Sequence, residues 1–301
     1  MAPQFPEFKP IELGDRIELD PVFRDYQPQT SEWTFTNFFI WRQYYRFQWS
    51  RRGDHLLFLC NPADHEPYFL MPLGRPPRME AAKAALDWLV REARTSNPSI
   101  QKADGRFAEE ARMDGSLRIT PQREHFDYIY ASSDLVSLVG RKYHSKKNFV
   151  NRFEKNHPGM RYIPLTENLS PECMRVLERW CRDRDCGGNP VLRAEYDAVR
   201  QAFIHYHSLD LAGGAILIDG KVEAFTLGGQ LNAETAVVHV EKADPDIQGL
   251  YAVINQRFVA ERWASVLWIN REQDLGEENL RKAKLSYQPA RLAEKFRIVP
   301  G

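Results

Sequence analysis

ETAVVHVEKADPDIQGLYAVINQRFVAERWASVLWINREQDLG, residues 234–276, decides the fold class. Residues 234–243 alternate through β-branched positions. Residues 249–264 carry Leu250, Val253, Ile254 and Phe258 at helical spacing, and SVLWIN (265–270) is a short apolar run. The apolar period changes from two to about 3.6 and back, which predicts strand, helix, strand. Alternation puts His239 and Glu241 on one strand face and Val238, Val240 and Lys242 on the other. A glutamate ending an apolar strand needs an opening or a partner. Asn270, Arg271, Glu272, Gln273 and Asp274 end the following strand, so polar groups gather from two separate segments.

Working outward, MRYIPL (160–165) is a strand. Ser170-Pro171-Glu172 opens a helix that runs to about Asp185, with a cap, a proline and an acid in the first turn. Cys186-Gly187-Gly188-Asn189-Pro190 breaks it, and a second helix covers 194–207. AGGAILIDGKVEAFTLGGQ (212–230) gives two strands around Asp219-Gly220. EENLRKAKLSY (277–287) is a helix and KFRIVP (295–300) a last strand. The first half echoes this order. YRFQWS (45–50), HLLFLC (55–60) and EPYFLMPL (66–73) are strands, 79–94 is a helix with Ala82, Ala85, Leu86 and Leu89 on one face, and a strand follows near 99–103. Ser31 is the expected N-cap of an aromatic helix over 31–45. The basic stretch 140–159 joins the halves. The sequence therefore predicts two α/β (α+β) units, 1–137 and 138–301, each a mixed, mostly antiparallel sheet flanked by helices, the second led by a basic helix over 141–156.

With 43% hydrophobic and 27% charged residues, the chain can bury a core and stay in solution. Lys+Arg and Asp+Glu both number 41, so only a local patch can attract nucleic acid or anionic lipid. The start MAPQFPEFKP lacks the pattern of a signal peptide, and no apolar run approaches the ~20 residues that span a bilayer. A cytoplasmic protein is expected. Cys60, Cys173, Cys181 and Cys186 match no zinc spacing and are expected as buried free thiols. His55, His65, His125, His144, His157, His205 and His207 show no metal spacing either, and no P-loop, dinucleotide fingerprint or nucleophile elbow occurs. No metal is expected.

Several stretches together resemble a bacterial family related to the C-terminal domain of phosphatidylglycerol lysyltransferase. They are WTFTNFFIWR (33–42), KKNFVNRF (146–153), VEKA (240–243) with the following GLY and IN, INREQDLG (269–276) and NLRKAKLSYQP (279–289). The resemblance covers nearly the whole chain and implies a tandem duplication of GNAT-like acyltransferase units. It implies transfer of an aminoacyl group from aminoacyl-tRNA to an amine or hydroxyl acceptor. The membrane-embedded portion of the lysyltransferase has no counterpart here, so a lipid-headgroup acceptor is not implied.

In GNAT-like folds the fourth and fifth strands splay, and the gap holds the acyl donor. Glu241 and Asp274 are then the candidate bases, since a positioned base contributes about 10²–10⁴ in rate. Tyr287, ending the helix 277–287, is the acid the resemblance suggests. Asn270 and backbone N–H groups are candidate oxyanion donors. Lys242, Gly249, Leu250, Tyr251, Arg271, Arg281 and Lys284 complete the donor-binding set. Glu241 paired with Arg271 or Lys242, and Asp274 capping the helix after it, are the structural alternatives. The loop before Gly249 has Asp246 and one glycine where a CoA-binding loop has a basic or amide residue and two small ones. That disfavours acetyl-CoA or acyl-CoA, the alternative donors, at the helix start. Arg141, Lys142, Lys146, Lys147 and Arg152 form a stripe for tRNA, with Phe149 and Phe153 facing the core and the lysines outward. A CoA-dependent N-acyltransferase and a non-catalytic GNAT-like binding module are the alternative functions.

Overall fold

The computed structural model describes residues 2–301. The chain divides into two compact units. The first comprises the chain up to Asp127 with Gln273–Glu277 and Ala293–Gly301, and the second comprises Tyr128–Glu272 with Glu278–Leu292. Each is a mixed, mostly antiparallel sheet flanked by helices. The division falls ten residues before the expected 137/138, and two later segments return to the first unit.

The strands, numbered along the chain, are β1 (Lys9–Pro10), β2 (Gln48–Arg52), β3 (His55–Cys60), β4 (Tyr68–Leu70), β5 (Ile100–Asp104), β6 (Leu117–Pro121) and β7 (Asp127–Ala131). They continue as β8 (Arg161–Pro164), β9 (Ala212–Ile218), β10 (Lys221–Asn232), β11 (Thr235–Ala243), β12 (Trp268–Asn270), β13 (Arg291–Ala293) and β14 (Lys295–Pro300). The first sheet has the order β1-β2-β3-β4-β5-β14-β6 and the second β13-β7-β12-β11-β10-β9-β8. KFRIVP is a strand as expected. It closes the first sheet, however, antiparallel to both β5 and β6, rather than the second. β4 pairs with β5, and β11 with β12, in parallel.

The helix Leu250–Arg262 packs the core of the second unit, burying Leu250, Val253, Ile254, Phe258 and Val259 almost completely. Each such side chain contributes about 1.5–3 kcal/mol. Met79–Arg91 buries Ala82, Ala85, Leu86 and Leu89 as its spacing predicts. Thr34, not Ser31, caps the aromatic helix Phe35–Ile40, accepting from the Asn37 N–H at 3.1 Å. Ser31 instead donates its N–H to Asp127. Asn189 caps Pro190–Ile204, four residues earlier than expected. Cys181 and Cys186 form a disulfide, while Cys60 and Cys173 are buried free thiols. The five-residue spacing across the helix end at Asp183 brings the first pair together, which a free-thiol reading missed. Among the described residues no helix is long and apolar enough to cross a membrane.

Candidate active site

The parallel pairing of β11 with β12 stops at Val237↔Asn270. Beyond it the chain leaving β12 diverges, and two side-chain pairs cross from β11. Arg271 Nη2 donates to Glu241 Oε1 at 2.9 Å. Asn255, on Leu250–Arg262, donates to Glu241 Oε2 at 2.9 Å. Both carboxylate oxygens are therefore engaged. In this geometry Glu241 holds Arg271 and Asn255, the ion-pair alternative expected for it, and neither oxygen is left free to accept a further proton donor.

Arg271 is itself enclosed. Its guanidinium lies 4.8 Å from the ring centre of Tyr287 and 5.7 Å from that of Tyr130. Burial works against its charge, but Glu241 and the two tyrosines outweigh that, so the pKa is raised and Arg271 stays cationic. Nη1 is buried without a hydrogen-bond partner. Burial pushes Tyr287 up to about 12, so its hydroxyl stays protonated at neutral pH. Lys146 Nζ sits 4.2 Å from the centre of the Tyr287 ring. Burial, and then Arg271, lower its pKa. Lys146 therefore faces this cluster instead of solvent, on the same helical stripe as Val150 and Phe153. Lys284 Nζ donates to the carbonyls of Arg271 and, at 3.2 Å, Glu272, while Tyr130 Oη donates to the Lys284 carbonyl at 2.8 Å. These bonds fix the segment that carries Arg271.

The second crossing pair is His239 Nδ1 with Glu272 Oε1 at 3.0 Å. Leu227 pairs with Val240 and Gly228 with Val238, so His239 is the extra residue of a β-bulge. The bulge resets the alternation. Val238 packs with Phe258 on the side of Leu250–Arg262, the side where Glu241 meets Asn255. The expected opposition of Val238 and Glu241 therefore fails. Gly228 is required here, because an added Cβ would lie 2.5 Å from the Val237 carbonyl oxygen. Asn270 is fully buried and accepts from the Glu272 N–H at 2.7 Å, so it shapes this turn.

Other expected residues lie elsewhere. Asp274 belongs to the first unit, fully buried, accepting from Arg123 at 3.2 Å and from the Gly276 N–H at 2.9 Å. Both oxygens hold structure, so a base role has no free acceptor. Lys242 points to the opposite sheet face from Glu241, bonded to Glu195 and 3.4 Å from the Trp180 ring centre. Leu250 is core, and Tyr251 is half-buried with its hydroxyl pKa raised by burial. Gly249 has φ 92° and an added Cβ would lie 2.9 Å from the Phe149 carbonyl oxygen, so the basic helix backs this helix start. Arg281 is half-buried on Glu278–Leu285. Arg141, Lys142, Lys147 and Arg152 are exposed, Lys142 pairing with Asp134 and Arg152 reaching Gln248 at 3.4 Å. Among the described residues no group of three or more His, Cys, Asp or Glu is arranged for a metal ion. Sequence reasoning missed Asn255 and Tyr130, and placed Glu272 only among the polar residues that end the second strand. The spacing of Lys146 to Val150 and Phe153 was the available signal for its inward position.

A family profile described as phosphatidylglycerol lysyltransferase, C-terminal, matches residues 23–299. A conserved Bacteroides thetaiotaomicron protein of unknown function is 33% identical, with TM-score 0.90 and 100% of both chains covered. L-PGS from Bacillus licheniformis is 13% identical with TM-score 0.62, covering 95% of this chain and 92% of that one. A tandem GNAT protein from the clavulanic acid biosynthesis pathway is 13% identical with TM-score 0.53, covering 98% of each. The two units are thus tandem GNAT-like units. No curated protein matches the sequence.

Proposed function

This chain belongs to the phosphatidylglycerol lysyltransferase C-terminal family, and from that premise we propose that its second unit transfers an aminoacyl group from aminoacyl-tRNA to a hydroxyl or amine acceptor. The observation that carries the proposal is the buried, unpartnered Nη1 of an Arg271 already held by Glu241. Attack on an aminoacyl ester puts negative charge on the carbonyl oxygen. A donor fixed beforehand in a buried site stabilises that charge without reorganising, and one such donor is commonly worth about 10²–10³ in rate. Lys146 adds a second cation at the same place, suited to a phosphate or to the same oxyanion. Arg141, Lys147 and Arg152 supply exposed charge for the tRNA backbone. The family name suggests the phosphatidylglycerol headgroup as acceptor.

Aminoacyl-tRNA is favoured over CoA for two reasons. The helix start at Gly249 is packed against Phe149, with Asp246 exposed in the loop before it, a poor setting for pyrophosphate. The Glu241–Arg271 and His239–Glu272 pairs also bridge the splay where a CoA arm would enter. These retained buried charges likewise disfavour a non-catalytic module. The test sets the donors side by side: radiolabelled charged tRNA with phosphatidylglycerol vesicles and with soluble amines, and calorimetric titration with acetyl-CoA. The expected result is label in an acceptor and no saturable acetyl-CoA binding below about 1 mM, equivalent to ~4 kcal/mol. Micromolar acetyl-CoA binding without transfer from tRNA overturns the proposal.

A further inference from the structure

We propose that the aminoacyl group taken at this site carries no cationic side chain, so that a lysyl donor is a poor substrate. The inference rests on the acyl-transfer reading above, and it departs from the lysyl group that the family's name carries. Cations outnumber carboxylates around the Tyr287 ring. Lys146 Nζ lies 4.2 Å from the ring centre and the Arg271 guanidinium 4.8 Å from it, so two positive charges share one ring. Lys284 brings a third, held by the carbonyls of Arg271 and Glu272. Against them stands Glu241, with its oxygens engaged by Arg271 and Asn255. Lys146 forms no ion pair among the described residues. The acids on neighbouring segments already hold partners. Glu154, on the same helix as Lys146, pairs with Arg257 at 2.5 Å, Asp134 with Lys142 at 3.1 Å, and Glu272 with His239 at 3.0 Å.

Lys146 is the exposed end of this cluster. It is only half-buried, and Arg271 keeps 13% of its side chain exposed. Lys146 also registers the surplus of positive charge, since burial and then Arg271 lower its pKa, with Glu241 acting the other way. A second lysine ammonium, carried in by the donor, meets the same surroundings with the charge of Lys146 added. It cannot swing clear of them. With the acyl carbonyl at Arg271, an ammonium on a four-carbon stem stays within the ~8 Å over which charges act on one another at physiological salt. The donor's α-amino group is a different case. Its ordinary value of about 7.7–8.0 lets it shed its proton near neutral pH, whereas a lysine side chain at about 10.4 keeps its charge. A side chain that is uncharged or acidic escapes the repulsion, and placing like charges together is a common way to reject a wrong partner.

The experiment compares one tRNA acylated chemically with lysine and the same tRNA acylated with norleucine, which has the same carbon stem without the ammonium. Phosphatidylglycerol vesicles and soluble amines serve as acceptors. The expected result is a kcat/KM for the lysyl donor about 10–10²-fold below that for the norleucyl donor. Lys146→Met should narrow the ratio, and Lys146→Glu, which puts a carboxylate where a cation stood, should narrow it further or invert it. Equal use of the two donors, a lysyl preference, or a ratio unmoved in both variants overturns the inference. Should the wild type transfer from neither donor, the acyl-transfer reading fails separately, and calorimetric titration with the lysyl and norleucyl amides of 3′-amino-3′-deoxyadenosine judges the inference alone. Tighter binding of the norleucyl amide supports it. Equal or tighter binding of the lysyl amide, or binding of neither, overturns it.

Discussion

Arg271 Nη2 lies 2.9 Å from Glu241 Oε1, and this pair joins β11 to the chain leaving β12 just past their last parallel contact. Each side chain is only about one-eighth exposed, 13% and 12%. Glu241→Gln strands the Arg271 charge in a buried place and should lower stability by about 3 kcal/mol in urea titration. Adding Arg271→Met removes the stranded charge, so the double variant should unfold at higher urea than Glu241→Gln alone. Equal midpoints for Glu241→Gln and wild type would mean that the pair does not hold the site.

The basic helix should separate into two functions. Lys146 is half-buried over Tyr287 with a lowered pKa, so competitive labelling across pH should find it reacting below the ordinary lysine range. Lys147→Glu, on the exposed side, should weaken tRNA binding and flatten its salt dependence by about one unit of slope while leaving melting unchanged. An unaltered salt slope would remove Lys147 from the nucleic-acid contact.

His125, in the first unit, should make stability depend on pH. Burial, and then the charges of Lys102 and Lys295, depress it to about 3, with Asp274 acting the other way. The unfolded chain takes up a proton near the ordinary histidine value of about 6.5. The stabilisation is therefore complete above that pH and is lost as pH falls from there toward 3. His125→Gln cannot titrate, so its urea midpoint should decline less between pH 7 and pH 4. Parallel declines would show that the carboxylates alone govern acid unfolding.

The strand–helix–strand core was legible because its apolar period changes within one continuous stretch, and the buried face of Leu250–Arg262 follows directly from that period. The bulge at His239 was not, since it depends on where β11 meets Gly228 of β10. KFRIVP was legible as a strand, but its place between β5 and β6 is a choice of partners nearly two hundred residues away in the chain. Asp274 looked like part of the cleft because it is near Arg271 in sequence. The turn between them carries it into the first unit, where it binds Arg123. Glu241 was found, with its ion-pair partner among the alternatives, yet its second partner Asn255 sits on the next helix, where one polar residue in a buried stripe gives little signal.

The most direct test of the account is a single-turnover measurement of aminoacyl transfer from charged tRNA by wild type and Arg271→Lys. A lysine keeps the charge but not the planar fork that lets one side of Arg271 hold Glu241 while Nη1 is left without a partner. Wild type should transfer, and Arg271→Lys should do so at a rate about 10²–10³ lower, in protein still folded by its melting curve. Equal rates in the two proteins, or a wild type that transfers from no charged tRNA, would contradict it.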